Sequence, residues 1–362
     1  MSAAPLDRKR IGILTSGGDC PGLNAVLRAA SRAAENLGWE LIGFHDGFEG
    51  LLAPDEFTVL DRKATSGIMH LGGTMIGTVN RGQFVKRGGA RQPSFTPAEI
   101  LGKTRQTFQN LGLHALIVVG GDGSLNTALQ LHKAGLPVVG VPKTIDNDLE
   151  ATAMTFGFDS AVECVASSLD RLHTTASSHK RVMVLEVMGR HAGWIALQAG
   201  IAGGATAILV PEVPFDIDEL SAVIAHRHDR GRYASVVVVA EGALPKAGTL
   251  AIPDVAVNQY GHHSPRNIAQ LIAPEITKRT GYESRVVQLG HVQRGGTPTS
   301  YDRVLSTRFG LAAVDAVHDA AFGQMVVLRC GEIARESMSA TRGKIKTINL
   351  DLFADVSATF FG

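Results

Sequence analysis

Residues 114–124 read HALIVVGGDGS, and this stretch decides the class of fold. Positions 114–119 form a short, almost unbroken apolar run, the pattern of a strand buried on both faces. The run ends in Gly120-Gly121-Asp122-Gly123, a helical pattern follows over 124–132, and positions 138–141 make the next strand. The same rhythm continues outward on both sides. Toward the N-terminus, 11–15 reads as a strand, then a glycine turn, an apolar-periodic stretch over 23–37 and a strand at 41–44. Toward the C-terminus, 181–187 precedes a helix from Ala192, 236–240 is a strand, and 286–289 leads to a helix near 302–317. Apolar strands separated by helices predict an α/β fold with mostly parallel sheets covered on both faces.

The chain has 362 residues, long enough for two domains. Lys plus Arg number 35 and Asp plus Glu 34, a net charge of +1, so no strong field favours nucleic acid or an anionic membrane as partner. Hydrophobic residues at 44% and charged residues at 19% describe a globular chain. The apolar runs at 115–119 and 236–240 are strand-length and too short to span a bilayer. Arg8-Lys9-Arg10 passes straight into a strand-like run with no signal-peptide pattern. Cys20, Cys164 and Cys330 show neither metal spacing nor an even count. Together these features predict a cytoplasmic protein whose cysteines are buried and act as small apolar residues.

Three loops carry candidate chemistry. Thr15-Ser16-Gly17-Gly18-Asp19 follows the first strand, and glycines there let backbone N–H groups approach a phosphate at a helix N-terminus. The Gly120–Ser124 loop repeats the device, with Ser124 expected to cap the helix and Asp122 placed to hold Mg²⁺. No P-loop lysine pattern is present, and an Asp-Gly turn without a ligand is the plain alternative. Third, Pro142-Lys143-Thr144-Ile145-Asp146-Asn147-Asp148 sets two carboxylates beside a lysine. That set suits phosphoryl transfer: one carboxylate takes a hydroxyl proton and the other helps to place Mg²⁺. An ordinary loop with Asx turns uses the same residue types. Positions 78–97, rich in Gly, Arg and Pro, read as an exposed basic loop, either functional or a solvated crossover.

Across nearly its full length the chain resembles the 6-phosphofructokinase family. The resemblance rests on six motifs in order: Gly17-Gly18-Asp19, GGDGS at 120–124, PKTIDND at 142–148, Met188-Gly189-Arg190, Glu241-Gly242, and LGHVQRGG at 289–296. It implies phosphoryl transfer to the 1-hydroxyl of fructose 6-phosphate, assisted by Mg²⁺ at Asp122. It implies Asp146 as base, with Lys143, Thr144, Asp148 and Arg190 also in the catalytic set. Gly18, Arg81, Gly121, Asp122, Gly123 and Ser124 would line the donor site. Thr144, Asp146, Met188, Gly189, Arg190, Glu241, Arg181, Arg285, His291 and Arg294 would hold the sugar phosphate. The resemblance further implies a homotetramer or homodimer in which Arg181 and Arg285 reach a neighbouring active site. Two lobes are expected with the active site in the cleft between them: a donor lobe of 1–157 with about 293–343, and a sugar lobe of 158–292 with about 344–362.

Several positions depart from the pattern or bear on the phosphoryl donor. Gly123 leaves room for the α-phosphate of ATP where pyrophosphate enzymes usually place an aspartate, whereas Lys143 is the residue of pyrophosphate enzymes, although the mixed ATP/pyrophosphate subgroup that the chain resembles carries lysine with either donor. Steric room is the harder constraint, so ATP is the expected donor and pyrophosphate the alternative. Asn80 stands where an arginine bridges the two substrates, and Arg81 is its expected substitute. Phe48 stands where an adenine-stacking tyrosine is common and keeps the aromatic face, while Thr127 replaces a small glycine near the expected ribose. Arg28, Arg32, Arg62 and Arg232 match an effector site while His173 and Thr206 depart from it, so altered allostery is expected. Other readings are a lipid or NAD kinase, which lacks most of these motifs, another sugar phosphate such as sedoheptulose 7-phosphate, and a non-catalytic sugar-phosphate sensor.

Overall fold

The computed structural model describes residues 9–53, 55–79, 82–84, 96–252, 267–341 and 343–360. In chain order its elements are β1 (Arg10–Ser16), α1 (Leu23–Asn36), β2 (Glu40–Phe44), β3 (Phe57–Val59), α2 (Ala98–Leu111), β4 (Leu113–Gly120), α3 (Asp122–Lys133) and β5 (Val138–Pro142). They continue with α4 (Phe158–His179), β6 (Val182–Val187), α5 (Trp194–Ala202), β7 (Ala207–Leu209), α6 (Ile217–Asp229), β8 (Ser235–Ala240), α7 (Ile268–Thr280) and β9 (Ser284–Gln288). Last come α8 (Ser300–His318), β10 (Gln324–Arg329), β11 (Glu332–Ser337) and α9 (Leu350–Phe360).

The chain forms two compact units. Unit 1 comprises Met1–Ile145, Leu149–Ser160 and Arg294–Lys344; unit 2 comprises Asp146–Asp148, Ala161–Gln293 and Ile345–Gly362. The sheet of unit 1 runs β11-β10-β5-β4-β1-β2-β3. Its inner pairings are parallel, and only the outer pairs β10–β11 and β2–β3 are antiparallel. The sheet of unit 2, β7-β8-β6-β9, is parallel throughout. The protein is thus an α/β fold of parallel sheets covered by helices.

Each sheet buries its apolar runs as the sequence pattern dictates. In unit 1, Leu14, Ile42, Phe44, Leu116, Val118 and Val138 join Phe108, Leu125 and Leu129 from the helices. In unit 2, Val182, Val184, Val237 and Val239 pack with Ile217, Leu220 and Ile224 of α6 and Ile268 and Ile272 of α7. Removing such side chains from water is the main favourable term in folding.

Helix starts differ in a way that matters for the site. Asp216 caps α6 by accepting from the N–H groups of Asp218 and Glu219, and Thr299 caps α8 by accepting from the Asp302 N–H. By contrast, α1 starts after Gly22 and α3 after Gly121, with no side-chain cap on either. Gly22 has φ 108°, and a Cβ there would stand 2.5 Å from Ser306 Oγ and 2.9 Å from Phe156 Cδ2. Only glycine makes that turn. Ser124 does not cap α3, contrary to expectation: it already lies inside the helix, and its Oγ donates instead to Ser16 Oγ at 3.0 Å.

A buried carboxylate ties together the later segments of unit 1. Asp302 is 0% exposed, and its Oδ2 accepts from Ser160 N at 2.8 Å and Ser160 Oγ at 2.6 Å. Burial pushes Asp302 up to about 6, and the Ser160 and Gly157 bonds only partly offset it. The cysteines differ from expectation in that only Cys20 is buried; Cys164 is half-buried and Cys330 exposed. Among the described residues no helix is long and apolar enough to cross a membrane. Most of the basic loop at 78–97 falls outside the described residues, although Gln83 N donates to Glu49 Oε1 at 2.7 Å.

Candidate active site

In unit 1 three adjacent parallel strands end at one level, with Ser16 paired to Gly120 and Gly120 to Pro142. Their loops therefore emerge side by side at the carboxyl edge of the sheet, where ligands of open α/β sheets bind. Two of these loops run into uncapped helix N-termini, which present backbone N–H groups and positive potential to an anion. Two cations stand against them. Lys143 is 3% exposed, and its Nζ donates to the Gly18 carbonyl. Arg294 NH1 donates to the Asp19 carbonyl at 3.2 Å, and a Cβ on Gly18 would lie 2.5 Å from that same nitrogen. The structure thus brings Gly18, Gly121, Asp122, Gly123, Ser124, Lys143 and Arg294 to one edge. Arg294 was expected among sugar-phosphate ligands, but its guanidinium lies on the Gly18–Asp19 turn.

Thr144 follows, its carbonyl accepting from Thr155 Oγ at 2.8 Å. Asp122 is exposed in the first turn of α3. A Cβ added to Gly123 would meet nothing within 4 Å. Among the described residues no three His, Cys, Asp or Glu side chains converge on a metal-sized site. One exposed carboxylate beside an edge lined with helix N-termini fits Mg²⁺, which keeps water and phosphate oxygens in most of its positions.

Two residues beside the expected nucleoside site have partners within the protein. Phe48 is 8% exposed and packs on Phe84, ring centroids 5.2 Å apart, so its face belongs to the core. Thr127 is 2% exposed, and its Oγ donates to Gly123 O at 3.1 Å within α3. Asn80 and Arg81 lie outside the described residues.

Unit 2 repeats the strand-end logic. Val187 pairs with Ala240 and Glu186 with Gln288, so the loops bearing Met188-Gly189-Arg190, Glu241-Gly242 and His291 leave the same edge. Gly189 (φ 143°) and Arg190 (φ 53°) hold a sharp turn whose Arg190 N–H donates to Glu241 Oε1 at 3.0 Å. A Cβ on Gly189 would stand 2.6 Å from the Ala192 carbonyl, so this turn needs glycine. Burial pushes the Glu241 carboxyl up; the Arg190 N–H lowers it, and the Asp146 and Glu186 carboxylates raise it further. Asp146 itself is 4% exposed, and Asp148 is half-buried two residues on. His291 is exposed.

Arg181 and Arg285 stand together at the β6–β9 edge. Both pair with the single carboxylate of Glu283, which they hold below the usual carboxylate range, the Arg181 hydrogen bond first. Of the residues matched to an effector site, Arg32 and Arg62 in unit 1 share Glu35. In unit 2, Thr206 Oγ accepts from Val236 N, and a His173 ring nitrogen lies 2.7 Å from the Gly203 carbonyl.

Sequence reasoning passed over two polar residues of unit 2. Glu186 is 3% exposed; it accepts from Ala269 N at the start of α7 and from Gln288 Nε2. Its signal was available, since a lone acid inside the buried run 182–187 needs a partner. Gln293 is fully buried and links two loops, accepting from Met188 N at 3.2 Å and donating to Gly290 O at 3.0 Å. A separate cavity of about 620 Å³ in unit 1, lined by Lys9, Arg105, Phe108, His114 and Leu136 among others, touches none of the candidate residues.

Comparison with known proteins agrees with this geometry. Residues 10–317 match the family described as Phosphofructokinase. The chain is 48% identical to the ATP-dependent 6-phosphofructokinase of Chloroflexus aurantiacus, over 94% of this chain and 93% of that one. It is 47% identical to the pyrophosphate–fructose 6-phosphate 1-phosphotransferase of Streptomyces coelicolor, over 98% and 100%. A crystal structure of Pichia pastoris phosphofructokinase in the T-state superposes with a TM-score of 0.78 at 31% identity, covering 99% of this chain but only 37% of that larger one. The family motifs, the paired strand-end loops and these matches agree: the chain belongs to the phosphofructokinase family.

Proposed function

We propose that this protein is a 6-phosphofructokinase that transfers the γ-phosphoryl group of ATP to the 1-hydroxyl of fructose 6-phosphate. One observation carries the reading: two uncapped helix N-termini open at the carboxyl ends of the paired strands β1 and β4, beside the cations Lys143 and Arg294. An anion-binding edge of this kind suits a polyphosphate donor. Unit 2 supplies the acceptor side, with Asp146, Met188, Gly189, Arg190, Glu241 and His291. The chain passes from Thr144 to Asp146 through one residue, so the base follows the donor loop directly.

In this reading the sugar O1 attacks the terminal phosphorus while Asp146 takes its proton. The bond from that phosphorus to the bridging oxygen breaks, and ADP leaves. Lys143, Arg294 and the helix N-termini hold the donor oxygens and offset their charge, Thr144 and Asp148 lie alongside, and Arg190 orients the sugar. Asp122 would hold Mg²⁺, which would supply further neutralisation of charge on the transferring oxygens. Arg181 and Arg285 stand on the edge strand β9 or beside it, and we propose that they serve a neighbouring copy in a homo-oligomer.

A second reading, pyrophosphate as donor, is favoured by Lys143, whose ammonium sits on the Gly18 turn, and by the Streptomyces relative. The open space at Gly123 favours ATP. The test is fructose 1,6-bisphosphate formation from fructose 6-phosphate and Mg²⁺, with ATP and pyrophosphate in parallel. Turnover with ATP supports the first reading, turnover with pyrophosphate alone the second. Silence with both points to another sugar phosphate or a sensor. Asp146→Asn should lower kcat by roughly 10²–10⁴-fold with sugar KM largely kept, and near-normal turnover would refute the base assignment.

A further inference from the structure

The segment that returns to unit 2 at Ile345 runs beside the acidic turn 146–148. One residue in it, Lys346, makes two contacts with that turn and two with Trp194. Its backbone N–H donates to the Asp148 carbonyl at 2.9 Å, and its Nζ donates to Asn147 Oδ1 at 2.9 Å. Its carbonyl accepts from Trp194 Nε1 at 2.8 Å, and its ammonium stands 5.4 Å from the centroid of that indole. Two residues on, Ile348 N donates to Glu212 Oε1 at 3.2 Å. The same carboxylate accepts from Gly193 N at 2.9 and 3.0 Å, immediately before α5.

The segment 345–348 is therefore a strap. It fastens the turn holding Asp146 to the start of α5, which directly follows the Gly189-Arg190 loop. The turn needs such a hold. Asn147 is 2% exposed at φ 51°, a left-handed conformation that asparagine tolerates better than most residues, and it follows Asp146 directly. A half-buried ammonium-to-amide hydrogen bond is stronger than a neutral one, and the lysine ammonium stands by the indole.

We infer that Lys346 is a positioning residue for phosphoryl transfer, fixing the orientation of Asp146 through Asn147 and Asp148. The inference rests on Asp146 being the base. Nothing in the family motifs points to it, because Lys346 lies 199 residues from Asn147 in sequence.

The test uses the full chain with whichever donor it accepts. Lys346→Met keeps the stem and removes the ammonium, Lys346→Arg restores a charged donor, and Asn147→Gly removes the acceptor while keeping the backbone freedom. We expect Lys346→Met to lower kcat roughly 10- to 100-fold, the scale of a misplaced catalytic group. Its KM for fructose 6-phosphate should stay within about threefold. Its Tm should stay within about 3 °C of wild type. Lys346→Arg should recover most of the rate. The double variant Lys346→Met/Asn147→Gly should be within about twofold of Lys346→Met, because both changes remove one interaction.

A wild type active with either donor whose Lys346→Met variant keeps its kcat overturns the positioning role alone. So does a rate loss that tracks a fall in Tm without rescue by arginine, and so do losses that multiply in the double variant. Near-normal turnover of Asp146→Asn refutes the base reading and this role with it.

Discussion

Gly123→Asp separates the two phosphoryl donors without disturbing the fold. Gly123 is exposed in the first turn of α3, and a Cβ there meets nothing within 4 Å. Its φ is not in the left-handed region, so an L-residue adds no backbone strain. An acid in the first helical turn interacts favourably with the helix dipole by ~0.3–1 kcal/mol, so Tm should hold or rise. The cost falls on the donor. A carboxylate about 4 Å from a phosphate charge is repelled by ~1 kcal/mol at the dielectric of water and by ~4 kcal/mol at an effective value of 20. At 1.36 kcal/mol per decade, kcat/KM for ATP should fall between roughly fivefold and 10³-fold. The assay is steady-state fructose 1,6-bisphosphate formation with ATP varied at saturating sugar phosphate and Mg²⁺, beside a melting curve. An unchanged Tm with kcat/KM within about twofold for ATP and for pyrophosphate would refute the reasoning, since no donor phosphate then lies against Gly123.

Other expectations follow from the charges described above. Burial pushes the Asp302 carboxyl up to about 6, from the ordinary aspartate value of 3.8 that the unfolded chain is taken to have. Its raised value makes the protonated form the stable one, so this contribution is full below pH ~4 and is lost as pH rises through 6. Asp302→Asn should therefore stabilise the protein at pH 7.5, by up to ~3 kcal/mol at 1.36 kcal/mol per pKa unit, and flatten the pH dependence of Tm between pH 4 and 7; a lower Tm at pH 7.5 would show that the charged form is well solvated. Glu283→Gln should loosen Arg181 and Arg285 and lower KM for fructose 6-phosphate, by no more than ~5-fold because exposed ion pairs are weak; a raised KM would mean that Glu283 orients those arginines for the sugar phosphate.

The fold class was legible because it is written locally. An apolar run such as 114–119, closed by glycines and followed by a helical period, specifies a buried parallel strand and the turn after it. The place of the glycine loops was legible for the same reason, since a loop after β1 or β4 opens at the carboxyl edge whatever surrounds it. Side-chain partners that join distant segments were not legible. Nothing near Arg294 in sequence shows that it reaches the Asp19 carbonyl, 275 residues away, or that Lys346 holds Asn147. Local chemistry also misled at Ser124, which sits where a cap is common but one turn too deep, while Phe48 packs on Phe84 in the core and Thr127 turns its hydroxyl back into its own helix.

The interrupted build of unit 1 has a consequence during synthesis on the ribosome. Strand β5 is complete at Pro142, but its sheet neighbour β10 begins only at Gln324. At ~5–20 residues per second, β5 presents an unpaired edge for roughly 10–40 s before the chain that covers it exists. An open apolar strand edge is a template for pairing with another chain. Messages truncated between these points should therefore yield nascent products prone to aggregation, and full-length yield should improve when translation is slow relative to chaperone binding rather than relative to folding.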